Sequence, residues 1–245
     1  MNRSYLRLAV EGKNDWWRYA LGMLFIIFFW GYVGVLAAIL ILKIAFLFGI
    51  IEPNYPYAKF LAFSIRHVFS SLGVFLVLKY LHQRKFSTLF GIDRRLSLKR
   101  LAIGTTVTFS ILFVPFLIGG LFDLTLISDV FRLRAWSWLP FIIFSIIVQS
   151  AGEEFIYRGY LLQGFSLLNR RATLAVLLSS LAFAHVHFLP SIFISIEEIN
   201  RFLFCFVFGV VCAAITIRDN RIELAIGVHA GWNIFQTLIS GIYNS

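Results

Sequence analysis

The chain has 245 residues, 60% of them hydrophobic and only 14% charged, with a formal net charge of +10. Soluble domains are about half apolar and about a quarter charged, so this composition excludes an ordinary soluble fold and points to an integral membrane protein. Its Lys and Arg residues fall in short clusters between apolar runs, not along one basic face, which argues against a nucleic-acid partner and makes the lipid bilayer the expected surroundings.

A helix of about 20 apolar residues crosses about 30 Å of hydrocarbon. Seven stretches come near that length, at 19–42, 58–81, 101–122, 136–168, 172–189, 202–217 and 222–242. The first is too long for a signal-peptide core and lacks a small-residue cleavage site, so it is expected to stay attached. The fourth exceeds a simple span, which predicts extra helical turns beyond the bilayer or a strong tilt. The segment Phe188 to Arg201 reads as an external loop or a short re-entrant piece, so the count is seven to eight.

Arg3, Arg7, Lys13 and Arg18 precede the first stretch, and Arg84, Lys85, Arg94, Arg95, Lys99 and Arg100 follow the second. By the positive-inside rule the N-terminus is cytoplasmic and, with seven spans, the C-terminus lies outside. The expected fold class is therefore all-α, a polytopic helical bundle in a plasma membrane, with no repeat and no soluble domain. It divides into residues 1–135, three spans without a recognisable motif, and 136–245, where the polar residues concentrate. Cys205 and Cys212 stand seven apart in one apolar run, two turns along a helix and too far apart to bridge, so both read as small packing residues.

The polar exceptions carry the chemistry. An ionised side chain at the centre of a span costs roughly 2.5–3.5 kcal/mol on insertion scales, so Glu153, Glu154 and Arg158 must face the bundle interior or a wet cavity. Glu154 and Arg158 are at i and i+4 on one helical face, whereas Glu153 lies about 100° round the helix beside Tyr157. Glu154 can thus be held as a carboxylate by the guanidinium, leaving Glu153 to exchange a proton; one structural and one working carboxylate is a catalytic division of labour. The plainer reading is that both acids neutralise arginines, Arg158 and the intramembrane Arg66.

His185 and His187 close the fifth stretch. Two residues along a helix is a rotation of about 200°, so they cannot serve one site, and one is expected to be a spectator. In the last stretch His229 and Asn233, at i and i+4, present an imidazole and an amide to one point, as two donors for an oxyanion would; the plainer reading is a hydrogen bond between helices. Together the three helices supply a carboxylate, an imidazole and further donors, enough to activate water and stabilise the tetrahedral intermediate of amide hydrolysis.

Glu153-Glu154-x-x-x-Arg158, Phe183-x-x-x-His187 and His229-x-x-x-Asn233, in this order, resemble the three motifs of the CPBP intramembrane proteases, the group that includes the CAAX prenyl endopeptidase and the bacteriocin-processing and immunity-associated Abi proteins. The resemblance covers about 140–240. It implies an endopeptidase of a bacterial cell membrane acting on a peptide or membrane-protein substrate. Glu153 and His187 would polarise the attacking water, Glu154 and Arg158 would brace Glu153, and His229 and Asn233 would hold the oxyanion. His185 departs from the pattern by placing a second imidazole inside the middle motif. The resemblance leaves metal use undecided: Glu153, His187 and His229 could supply three ligands to zinc or another divalent metal, or act directly. Substrate identity, prenylation and oligomeric state are not encoded. Two other functions use the same residues: a proton-coupled transporter, disfavoured by the lack of repeat symmetry, and a non-catalytic immunity or binding protein of the same fold.

Overall fold

The computed structural model describes residues 4–51, 58–123, 139–168, 172–188 and 195–243. Seven long helices are found among them: α1 (Trp16–Leu47), α2 (Ala58–Leu81), α3 (Leu98–Gly120), α4 (Leu139–Phe165), α5 (Ala172–Val186), α6 (Ile196–Asp219) and α7 (Glu223–Tyr243). Among the described residues there is no strand beyond an isolated antiparallel bridge between Gly91 and Arg221. Helices α1, α2, α3, α4 and α6 are each long and apolar enough to cross a membrane. The protein is an all-α, multi-pass membrane bundle.

The apolar pattern is turned outward, as lipid requires. On α3, Ile103, Val107, Ile111, Val114 and Ile118 recur every three to four residues and are all about half exposed, forming one lipid-facing stripe. The opposite side of α3 packs on α7 with almost no side chain between. A Cβ added at Gly104 would come within 2.5 Å of the Leu224 carbonyl oxygen, and one at Gly227 within 2.3 Å of the Leu101 carbonyl oxygen. Small residues let helix backbones touch where lipid offers no hydrophobic drive to association, and here they fix α7, the helix that carries His229.

Helix boundaries correct two expectations. Ser195 and Glu198 form a capping box (Glu198 N to Ser195 Oγ 3.2 Å, Ser195 N to Glu198 Oε2 2.8 Å) that starts α6 at Ile196, six residues before the expected position. Reciprocal capping satisfies two otherwise orphaned amides and so pins the first turn. The stretch from Ile196 to Arg201 is therefore helix; residues 189–194 of the expected loop lie outside the described residues. The long fourth stretch is one helix with a change of pitch: an α-helical part to Glu154, then a π-helical segment, Phe155–Leu161. Cys205 and Cys212 are both buried and free.

The short helical turn Tyr5–Glu11 lies against the end of α4. The Tyr5 hydroxyl donates to the Leu89 carbonyl oxygen at 2.9 Å, and Gln163 Nε2 donates to the Thr88 carbonyl oxygen at 3.1 Å and that of Tyr5 at 3.3 Å. The segment before the first span thus helps hold α4, the helix that carries both glutamates.

Candidate active site

Glu153 and Glu154 are the last α-helical residues of α4, and Arg158 sits in the π-helical segment that follows. Such segments insert one extra residue per turn, re-aim side chains and occur disproportionately at functional sites. Glu154 and Arg158 are almost wholly buried, and Glu154 Oε1 lies 3.0 Å from Arg158 Nη1. The guanidinium also lies over the Phe183 ring, 4.4 Å from its centroid, and Nη2 reaches the Gly209 carbonyl oxygen at 3.4 Å. The expected pairing of the second glutamate with the arginine is present, and neighbouring helices α5 and α6 complete it.

The same Glu154 Oε1 accepts from His229 Nδ1 at 2.8 Å. That contact fixes the tautomer: with Nδ1–H donating to the carboxylate, Nε2 of His229 is turned away from Glu154. It faces the other glutamate, 3.8 Å from Glu153 Oε2. His187 does likewise from α5. Its Nδ1 lies 2.8 Å from the Phe183 carbonyl oxygen one turn back, and its Nε2 stands 3.9 Å from Glu153 Oε2. Phe183 packs against both imidazoles, its ring centroid 4.6 Å from that of His187 and 5.7 Å from that of His229.

The Glu153 carboxylate is ringed by imidazoles. Oε1 accepts from Gln149 Nε2 at 3.2 Å and lies 3.4 Å from Nε2 of His67, a buried residue of α2. Oε2 is buried and has no hydrogen-bond partner among the described residues. Separations of 3.8 and 3.9 Å are too long for direct hydrogen bonds but suit groups bridged through one intervening small molecule such as water.

His67 was missed by sequence reasoning because a lone histidine in an apolar run has no partner along the chain. A signal exists one helix away. Gly152 precedes Glu153, and a Cβ there would stand 3.0 Å from the His67 Cβ, so this glycine brings α4 onto α2 at the level of His67. His185 is exposed, whereas His187 is the α5 histidine that faces Glu153. Asn233, one turn beyond His229 on α7, is half-buried and makes no hydrogen bond to any described residue. Arg66 does not pair with either glutamate; its guanidinium stacks on Trp30, 4.3 Å from the ring centroid.

The described part of α5, Ala172–Val186, has 15 residues where the apolar stretch 172–189 predicted a span. Among the described residues no group of three or more His, Cys, Asp and Glu side chains is placed to hold a metal ion.

The comparisons with known proteins agree with the motif resemblance. Residues 135–235 match the family described as Type II CAAX prenyl endopeptidase Rce1-like, which spans all three motifs. The chain is also similar to a Bacillus subtilis (strain 168) protein, YyaK, described as uncharacterized: 25% identical over 260 residues, covering 95% of this chain and 80% of that protein. No solved structure matches the chain significantly.

Proposed function

We propose, from the premise that residues 135–235 match a family of CAAX-type intramembrane proteases, that this chain hydrolyses a peptide bond within the membrane using Glu153 and His187 to activate water. The carrying observation is the convergence of His187 Nε2 and His229 Nε2, from α5 and α7, on the unpartnered Oε2 of Glu153 at 3.9 and 3.8 Å.

A water held between Glu153 and His187 is oriented by the carboxylate and gives up a proton as its oxygen bonds to the substrate carbonyl carbon. His187 Nε2 is free to take part, because Nδ1 is engaged with the Phe183 carbonyl oxygen. The carbonyl π electrons move to oxygen, and the oxyanion is met by His229 and Asn233. For His229 to donate from Nε2 its ring must carry both protons; Glu154, accepting from Nδ1, stabilises that form. The held proton passes to the amide nitrogen as the carbon–nitrogen bond breaks, restoring Glu153 and His187. Preorganised donors in a dry pocket are commonly worth about 2.7–4 kcal/mol each in the barrier. The basic residues before α1 and between α2 and α3 support a cytoplasmic N-terminus, and the motif resemblance supports a bacterial cell membrane.

The test is comparative proteomics of membranes containing the wild-type chain or Glu153→Gln. A precursor that accumulates with the variant, and is cleaved by wild-type protein in proteoliposomes, supports the reading. Identical membrane proteomes together with undiminished activity of His187→Ala would end it.

A further inference from the structure

We infer that His67, from a region of the chain without a recognisable motif, is a positioning residue of this site: it holds Glu153 Oε1 so that only Oε2 is presented to the reacting groups. The inference rests on the peptidase reading for its functional consequence, but its structural part stands on donor and acceptor accounting alone.

His67 is buried on α2, and its Nδ1 lies 2.8 Å from the Phe63 carbonyl oxygen four residues earlier. A carbonyl can only accept, so Nδ1 carries the proton, and in the neutral ring Nε2 is then a bare lone pair. That lone pair lies 3.4 Å from Glu153 Oε1. A lone pair facing a carboxylate oxygen repels it, so the contact is favourable only with a proton between the two, carried either by the ring or by the carboxyl group. His67 Nε2 and Glu153 Oε1 therefore form an imidazole–carboxylate pair between α2 and α4.

The other two imidazoles repeat the arrangement, His187 with Nδ1 on a carbonyl oxygen and His229 with Nδ1 on Glu154, each turning Nε2 towards Glu153. The oxygens of Glu153 divide between them. Oε1 is taken by His67 and by Gln149, whose amide donates at 3.2 Å, while Oε2 faces His187 and His229. Two partners on one oxygen stop the carboxylate from rotating, which keeps the other oxygen at the reacting position. The close approach of α4 to α2 at Gly152 is what puts His67 in range.

Two arms test this with the full chain in lipid nanodiscs or proteoliposomes. In the first, solid-state NMR of ¹⁵N-histidine-labelled protein follows the His67 signals, identified by their absence from His67→Gln. Glu153→Gln is expected to change the Nε2 signal of His67 while Nδ1 keeps its hydrogen-bonded signature; an unchanged Nε2 signal would overturn the pairing whatever the protein's activity. In the second, cleavage of the precursor accumulated by Glu153→Gln membranes is measured with His67→Leu and His67→Gln. Leu keeps the bulk without a polar partner, whereas Gln can still donate to Oε1. The expected result is a loss of about 10²-fold in kcat for Leu at unchanged KM, the scale of a reacting group displaced by about 1 Å, with substantial recovery in Gln. Wild-type kcat in His67→Leu, or Leu outperforming Gln, would reduce His67 to packing. If His67→Leu does not fold, the first arm decides. Should wild-type protein cleave nothing while the NMR pairing is seen, the peptidase reading falls and the pairing stands.

Discussion

Glu154 Oε1 is shared by Arg158 Nη1 at 3.0 Å and His229 Nδ1 at 2.8 Å, so one carboxylate oxygen ties the first motif to the third. The two glutamates are adjacent in sequence and differ in their surroundings. Glu154 is wholly buried, and its Oε1 meets an imidazole and a guanidinium, while Glu153 Oε2 faces Nε2 of His187 and of His229 at 3.9 and 3.8 Å.

Glu154→Gln separates these contacts. The amide can still accept from His229 through its oxygen, but it brings no charge to balance the Arg158 guanidinium or an imidazolium at position 229. Turnover of the precursor should fall roughly 10²-fold or more, within the range of acid–base contributions, with KM little changed. Single-turnover cleavage in proteoliposomes measures it, and an unaltered rate would show that His229 needs no carboxylate.

The basic end of the bundle offers a stability test away from the site. Glu223, fully buried at the start of α7, accepts from the Ser97 amide at 2.8 Å and pairs with Arg221 Nη2 at 2.7 Å; Arg221 also pairs with Asp93. Removing one partner of a buried pair leaves the other charge uncompensated, at a cost of about 3–5 kcal/mol. Arg221→Ala should therefore lower thermal stability in detergent markedly.

The same cluster predicts an acid dependence. Hydrogen bonding from Arg221 holds the Asp93 carboxyl below the usual carboxylate range. A depressed carboxylate stabilises the fold above its unfolded-state value and loses that contribution as pH falls through the folded value, so the loss belongs below about pH 4. Asp93→Asn should flatten the stability profile in that window and lower stability at neutral pH, where the ionised carboxylate makes its contribution.

Much of this was readable along the chain, and what was not has a common cause. The positions of the five membrane-length helices, the Glu154–Arg158 pair and the opposed directions of His185 and His187 follow from apolar run length, helical period and the cost of burying charge, which are local. The His67–Glu153 contact depends on how closely α2 and α4 approach, and the α3–α7 seam on glycines that carry no chemistry of their own. The early start of α6 was legible in Ser-x-x-Glu at Ser195 and Glu198, but an apolar-run count overlooks a polar first turn. The apolar stretch 172–189 predicted a span; the described helix there, Ala172–Val186, has 15 residues.

The glycine seam has its own consequence. In Gly227→Ala the new methyl would stand 2.3 Å from the Leu101 carbonyl oxygen, a backbone atom that cannot rotate away. The helices must separate, at a cost of about 1–3 kcal/mol. His229 lies two residues further on and moves with α7, so activity should drop more steeply than stability. Measuring both melting temperature and kcat distinguishes a displaced helix from a merely weakened one; a loss of stability with full activity would show that the seam does not set the position of His229.

His185 and Asn233 form the last contrast, because each tests a residue with no polar contact to the carboxylates in the described structure. His185 is exposed, a rotation of about 200° from His187, so His185→Ala should cleave the precursor at the wild-type rate. Asn233 lies a turn beyond His229 on the same face of α7, its amide engaged by no described residue. If it donates to the oxyanion, Asn233→Ala should lose about 10²- to 10³-fold in kcat with little change in KM, since the interaction forms only as charge develops on the substrate oxygen. Asn233→Asp should be at least as damaging, because a carboxylate would repel that charge where an amide attracts it. Asn233→Ala retaining wild-type turnover would leave His229 as the sole donor from this face and require the second to come from a backbone amide.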